Sequence, residues 1–168
     1  PGISTQTINV AVTGDLLNEP DETFFVNLSG PSNATISDAQ GAGTILNDDA
    51  VPGLTINDVS VTEGNIGSVN ATFTVSLLAA SGQVVTVNYA AAGGTATAGP
   101  DFVATSGSIT FPIGTTTQTI TVVVNGDLTN EADETFTVNL SAPVNAGISD
   151  PQGVGTIVND DPVPGLSM

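Results

Sequence analysis

The sequence predicts an all-β protein, an antiparallel sandwich repeated in tandem about every 112 residues. Two observations predict it. Apolar residues alternate with Thr, Asn and Ser in short runs bounded by Gly, Pro and Asn turn signals, and no stretch carries a helical period. Thr5–Ile56 also matches Thr117–Met168 at a constant offset, with roughly 37 of 52 positions identical. The chain therefore divides into the second half of one repeat (1–49), a complete repeat (50–161) and the start of a third or a linker (162–168).

The complete repeat opens with Leu54-Thr55-Ile56 and Val59-Ser60-Val61, interrupted at Asn57-Asp58. Ala71–Leu77 and Val85–Tyr89 follow, with Phe73, Val75 and Leu77 on one face of the first and Val85, Val87 and Tyr89 on one face of the second. Then come Ile109 and Phe111; Ile120, Val122 and Val124; Phe136, Val138 and Leu140; and finally Gly155–Val158. Each run has one dry face and one wet face, the pattern of antiparallel sheets packed on one side. With few aromatic residues and no tryptophan, Val, Ile, Leu and Phe must fill the core, and the Phe of each D-E-T-F (Phe24 and Phe136) is expected at its centre. Residues 1–49 are expected to hold the last three strands of a sandwich, with an open apolar face. Consecutive repeats are joined by N-D-D-x-V-P-G-L (Asn47–Leu54 and Asn159–Leu166), too short and too stiff at Pro52 and Pro164 to leave slack.

Composition narrows the function. The chain carries 17 acids, no Lys, Arg or His, and a formal charge of −17. That field repels nucleic acid and anionic lipid and attracts cations. Without cysteine or histidine there is no thiol chemistry, no disulfide and no usual transition-metal ligand. No apolar run approaches the ~18 residues that span a membrane as a helix. An acidic pair such as Asp127 and Glu131 is the minimum for glycoside hydrolysis, but no tryptophan is present to stack a sugar, and an enzyme is not expected.

Many of the acids are bunched in loops rather than spread over outward strand faces. The stretch N-G-D-L-T-N-E-A-D-E-T-F (Asn125–Phe136) holds Asp127, Glu131, Asp133 and Glu134, and Thr13–Phe24 nearly repeats it. Two carboxylates about 4 Å apart repel by about 4 kcal/mol at a surface-like dielectric. A divalent cation reverses that sign, and Ca²⁺, which takes 6–8 oxygen ligands in flexible geometry, suits loops of Asp, Glu and Asn beside glycine better than Mg²⁺.

The order V-T-E-G (Val61–Gly64), G-T-A-x-A-G-P-D-F (Gly94–Phe102), I-T-F (Ile109–Phe111), G-D-L-T-N-E-A-D-E-T-F and G-T-I-V-N-D-D (Gly155–Asp161) resembles the Calx-beta domain family. The resemblance implies an immunoglobulin-like sandwich binding calcium at one end. It places ligands at Glu63, Asp101, Asp127, Glu131, Asp160 and Asp161, and in the half repeat at Asp15, Glu19, Asp48 and Asp49. Glycine at 126 stands where the stronger family sites carry an acid, which implies fewer ions or weaker binding. Asp133 and Glu134 are expected to begin the next strand and face water, and Asp58 and Asp150 to be turn or bulge residues. The function expected is a calcium-binding structural module of an extracellular or bacterial cell-surface stalk, adhesin or filament. Its partners would be neighbouring repeats or other copies of the protein. The alternative is a subunit that exchanges strands in a homopolymer.

Overall fold

The computed structural model describes residues 4–166 and is built of strands. The chain ends at 1–3 and 167–168, which the division into repeats also covers, lie outside the described residues. The complete repeat contains β3 (Gly53–Ile56), β4 (Val59–Thr62), β5 (Gly67–Leu77), β6 (Val85–Gly93), β7 (Ser106–Phe111), β8 (Thr117–Gly126), β9 (Glu134–Val144), β10 (Gly147–Ile148) and β11 (Gln152–Val158). They form two sheets, β10-β3-β5-β8 and β4-β11-β9-β6-β7. Each alternating run of the complete repeat is one of these strands.

The expected break at Asn57-Asp58 is where the chain passes from one sheet to the other. Asn57 Oδ1 accepts the Thr74 amide on β5, and Asp58 Oδ1 accepts the Val154 amide on β11 at 2.7 Å. Two polar side chains thus bind the crossing to both sheets. The crossing also makes two pairings parallel, β3 with β10 and β4 with β11, where the alternation alone implied an antiparallel set. The remaining ladders are antiparallel, the longest joining β5 to β8 from Gly67↔Gly126 to Ser76↔Thr117.

The core lies between the sheets. Phe73, Val75 and Val122 face Val85, Val87 and Val138, and all are fully buried. Phe136 sits at the centre as expected. Its ring meets Phe73 edge-on (centroids 5.9 Å, 74°) and stacks on Phe102 (4.9 Å, 18°). Gly155 is the floor under that ring, because a Cβ there would lie 2.2 Å from Phe136 Cζ.

The first unit differs. β1 (Glu22–Asn27) and β2 (Gln40–Ile45) pair antiparallel, and Gly43 seats the ring of Phe24 as Gly155 seats Phe136. The third strand expected there does not form. Its residues Ile8, Val10 and Val12 are exposed and unpaired, although the equivalent Ile120–Val124 stretch is the buried middle of β8. The reason is pairing: β8 is built on β5, and no counterpart of β5 precedes Ile8 in this sequence. Phe24 is consequently only half-buried, above an open groove of about 460 Å³ lined by Ile8, Val10, Val26 and Leu28.

The two D-E-T-F phenylalanines give a direct test of this packing. Phe136→Ala is expected to lower stability by about 3–5 kcal/mol in urea denaturation followed by circular dichroism. Phe24→Ala, which removes a ring without a closed core around it, is expected to cost less than about 1 kcal/mol.

Candidate metal centre

Strand alternation builds the site. Val59 and Val61 turn towards the interior of β4, and the next residue of that parity is Glu63. Phe136, Val138 and Leu140 are buried on β9, and Glu134 precedes them in the same phase. Ile157 is buried on β11, and two further steps of two lead to Asp161. At one end of the sandwich, therefore, core-facing positions become carboxylates just where the strands stop. Glu63 and Asp161 are only 8% and 5% exposed, unusual burial for acids.

Loops bring the rest. Phe102, stacked on Phe136, anchors the G-P-D-F loop, and the Asn125 side chain holds that loop by donating to the carbonyls of Gly99 and Pro100 (2.9 Å each). This places Asp101 beside Glu131 and Glu134, with one carboxylate oxygen of each within 4.8 Å of the others. The loop Asp127–Asp133 is fixed by its own hydrogen bonds. Asp127 Oδ1 accepts the Thr129 amide (2.6 Å), Asn159 Oδ1 accepts the Glu131 amide (3.2 Å), and Asn130 Nδ2 donates to the Asp161 carbonyl (2.7 Å). Asp160 Oδ1 accepts the Gly64 amide (3.1 Å) and Asp161 Oδ1 accepts from Asn65 Nδ2 (2.6 Å), drawing the V-T-E-G turn and the chain after β11 together.

The cluster is electrostatically uncompensated. Burial first, and then the charges of Asp127, Asp161, Glu131 and Asp160, push the Glu63 carboxyl above its ordinary range. Glu134 is pushed up to about 7, by burial first and then by its hydrogen bond to Asp101 and the charges of Asp101, Glu131 and Glu63. No cationic side chain exists in the chain to offset them. Asp161 Oδ2 is buried and has no hydrogen-bond donor. A buried carboxylate oxygen without a partner is costly. An all-oxygen set of this size, with one oxygen left without a donor, fits a hard divalent cation.

All six positions named from the complete repeat gather at this one end, in two overlapping groups. Asp101, Glu131 and Glu134 form one, and Glu63, Asp127, Asp160 and Asp161 surround the other, with Glu131 close to both. Glu134 was expected in water and instead belongs to the cluster. The signal that could have found it was its parity with Phe136. Its neighbour Asp133 has the opposite parity and serves the backbone, accepting the Asn159 amide at 3.2 Å. Gly126 also continues a buried face, that of Val122 and Val124, but a Cβ there would lie 2.0 Å from the Gly64 carbonyl oxygen. This V-T-E-G turn packs too closely to admit an acid at that position.

In the half repeat, Asp15, Glu19, Asp48 and Asp49, with Glu22 in the place of Glu134, line a groove of about 440 Å³. The loop bonds recur: Asp15 with the Leu17 amide (2.7 Å), Asn47 with the Glu19 amide (3.0 Å), Asn18 with the Asp49 carbonyl (3.0 Å). Counterparts of Glu63 and Asp101 are not in this sequence, so that set is partial.

A sandwich of two sheets with an acidic, uncompensated pole defines the class of β-module, and comparison with known proteins names the family. The Calx-beta domain model matches residues 1–50 and 46–162, and the chain belongs to that family. The apo-form crystal structure of the Calx CBD1 domain is similar at 26% identity and a TM-score of 0.57, covering 67% of this chain and all of that one. The calcium binding domain CBD12 of CALX1.1 is 28% identical with a TM-score of 0.56, over 64% of this chain and 46% of that one. Adhesion G-protein coupled receptor V1 of Danio rerio is 30% identical over 156 residues, 88% of this chain but only 2% of the receptor's length.

The raised carboxyls predict a pH dependence. In the unfolded chain Glu134 titrates near 4.5 and in the folded one near 7, so the folded state holds the extra proton between these values. Its protonated form stabilises the fold fully below pH 4.5, and that contribution is lost as pH rises through 7. In chelator, urea midpoints should fall over this window, and Glu134→Gln should flatten the fall.

Proposed function

We propose that this chain is a calcium-binding structural segment of an extracellular or cell-surface repeat protein. Its work is mechanical rather than catalytic: the repeats form part of a stalk, adhesin or filament, and the ion stiffens each unit at its acidic pole. The observation that carries the reading is the buried, donor-free Asp161 Oδ2 among Glu63, Asp127 and Asp160 in a chain devoid of cationic side chains. The similarity to a calcium binding domain and to an adhesion receptor supports it. Glu63, Asp101, Asp127, Glu131, Glu134, Asp160 and Asp161 would hold the ion, which would supply the positive charge that the cluster lacks. Asp15, Glu19, Asp48 and Asp49 would do the same in a completed preceding repeat. Because the raised carboxyls must give up their protons to a metal, binding is expected to release protons and to weaken as pH falls.

Calorimetric titration of the chain tests this. Calcium is expected to bind and to raise the melting temperature, with magnesium a poor competitor. Asp161→Asn should weaken binding at least about tenfold. Asp133→Asn, which keeps an oxygen acceptor for the Asn159 amide, should leave it unchanged. A melting temperature indifferent to calcium and chelator alike would refute the proposal.

The open face of the first unit favours a second reading. Ile8, Val10, Phe24, Val26 and Leu28 line a groove that strands from another copy would close, with β-augmentation as the mode and a homopolymer as the product. On this reading, X-ray scattering of the chain should show mass growing with concentration. A constant monomer mass counts against it.

A further inference from the structure

The two copies of the acidic loop make an internal comparison. Their own hydrogen bonds are the same, yet their exposure differs. Leu17 and Glu19 are half-buried and Asn18 is 8% exposed, whereas Thr129 and Glu131 are exposed and Asn130 is half-buried. What covers the first copy is the turn Ser81-Gly82-Gln83 of the following repeat. Asn18 pairs with Ser81 as a short bridge, the Asn18 carbonyl accepts the Gly82 amide (3.2 Å), and Asn18 Oδ1 accepts from Gln83 Nε2 (3.2 Å). The same Asn18 side chain donates its Nδ2 to the Asp49 carbonyl at the start of the linker. The receiving turn is rigid. Ser81 is 2% exposed, its Oγ accepts the Gln83 amide (3.0 Å), and its carbonyl accepts the Gly114 amide (3.0 Å). Gly82 lies directly against the Glu19 side chain, since a Cβ there would lie 2.4 Å from Glu19 Cγ and Glu19 would have to turn aside.

We propose that Asn18 is a metal-independent latch between repeats, and that the matching loop Thr129–Glu131 is the docking surface for the Ser-Gly-Gln turn of a further repeat of the same kind. Every bond across the joint joins neutral groups, so none needs a cation to neutralise it. One asparagine ties together the acidic loop, the linker and the next unit, and glycine at 82 admits the preceding loop at contact distance. On the far side of the joint, Pro52 is buried and its carbonyl accepts the Gly147 amide (2.9 Å), which fixes the linker to the same repeat that receives the latch. The angle between units is thus set by side-chain fit and needs no calcium at the poles.

Amide hydrogen exchange on the full chain, run in chelator, tests it. The Gly82 amide should be protected in chelator. Asn18→Ala and Gly82→Leu should each speed exchange of the amide at position 82, relative to its unfolded-chain rate, on the order of tenfold, while the β5–β8 ladder exchanges as before. The intact ladder shows that the variants fold. Protection of Gly82 that appears only when calcium is added would overturn the latch, as would protection that survives both substitutions.

Discussion

Strand parity governs both the core and the acidic pole of this sandwich. In a pleated strand, residues two apart share a face, so a strand that buries Phe136 and Val138 also directs Glu134 inward. Three strands of this sandwich do the same at the same end. The hydrophobic core does not fade into solvent there but continues as carboxylates, and the low dielectric that favours the aromatic cluster makes those charges costly. Core and site are therefore one arrangement. The packing of Phe136 against Phe73 and Phe102 holds the acids together, and their repulsion opposes the packing until something neutralises them.

The asparagines manage that conflict locally. Asn125 holds the Asp101 loop, Asn130 and Asn159 hold the Asp127–Asp133 loop, and Asn65 occupies one oxygen of Asp161. Each uses a neutral amide to fix backbone or carboxylate geometry without spending one of the few positive charges a protein could offer here, of which this one has none. The same residue type at Asn18 reaches across to the next unit. At that joint the hydrogen bonds run between neutral amides, although the acidic loop itself lies against the next unit.

Much of this was legible in the sequence. Alternation located the strands of the complete repeat, D-E-T-F located the centre of the core, and the bunching of acids in loops located the pole. What was missed has physical causes. Glu134 looked like a solvated strand start because its charge outweighed its parity with Phe136. The sheet crossing at Asn57-Asp58 looked like a simple interruption because alternation does not reveal which sheet a strand joins. The extended Ile8–Val12 segment has the pattern of a strand, but a pattern states only which face would be buried, and pairing needs the neighbour that β5 supplies in the next repeat. The contact of Asn18 with Ser81 joins residues far apart in the chain and carries no local signature.

We propose that the inward-facing acids converge on a divalent cation. Diffraction from crystals of the chain grown in calcium tests it most directly. Density is expected bonded to Asp161 Oδ2 at about 2.3–2.6 Å and shared with Glu63 and Asp127. Carboxylates turned apart into bulk water, with nothing bound between them, would contradict it.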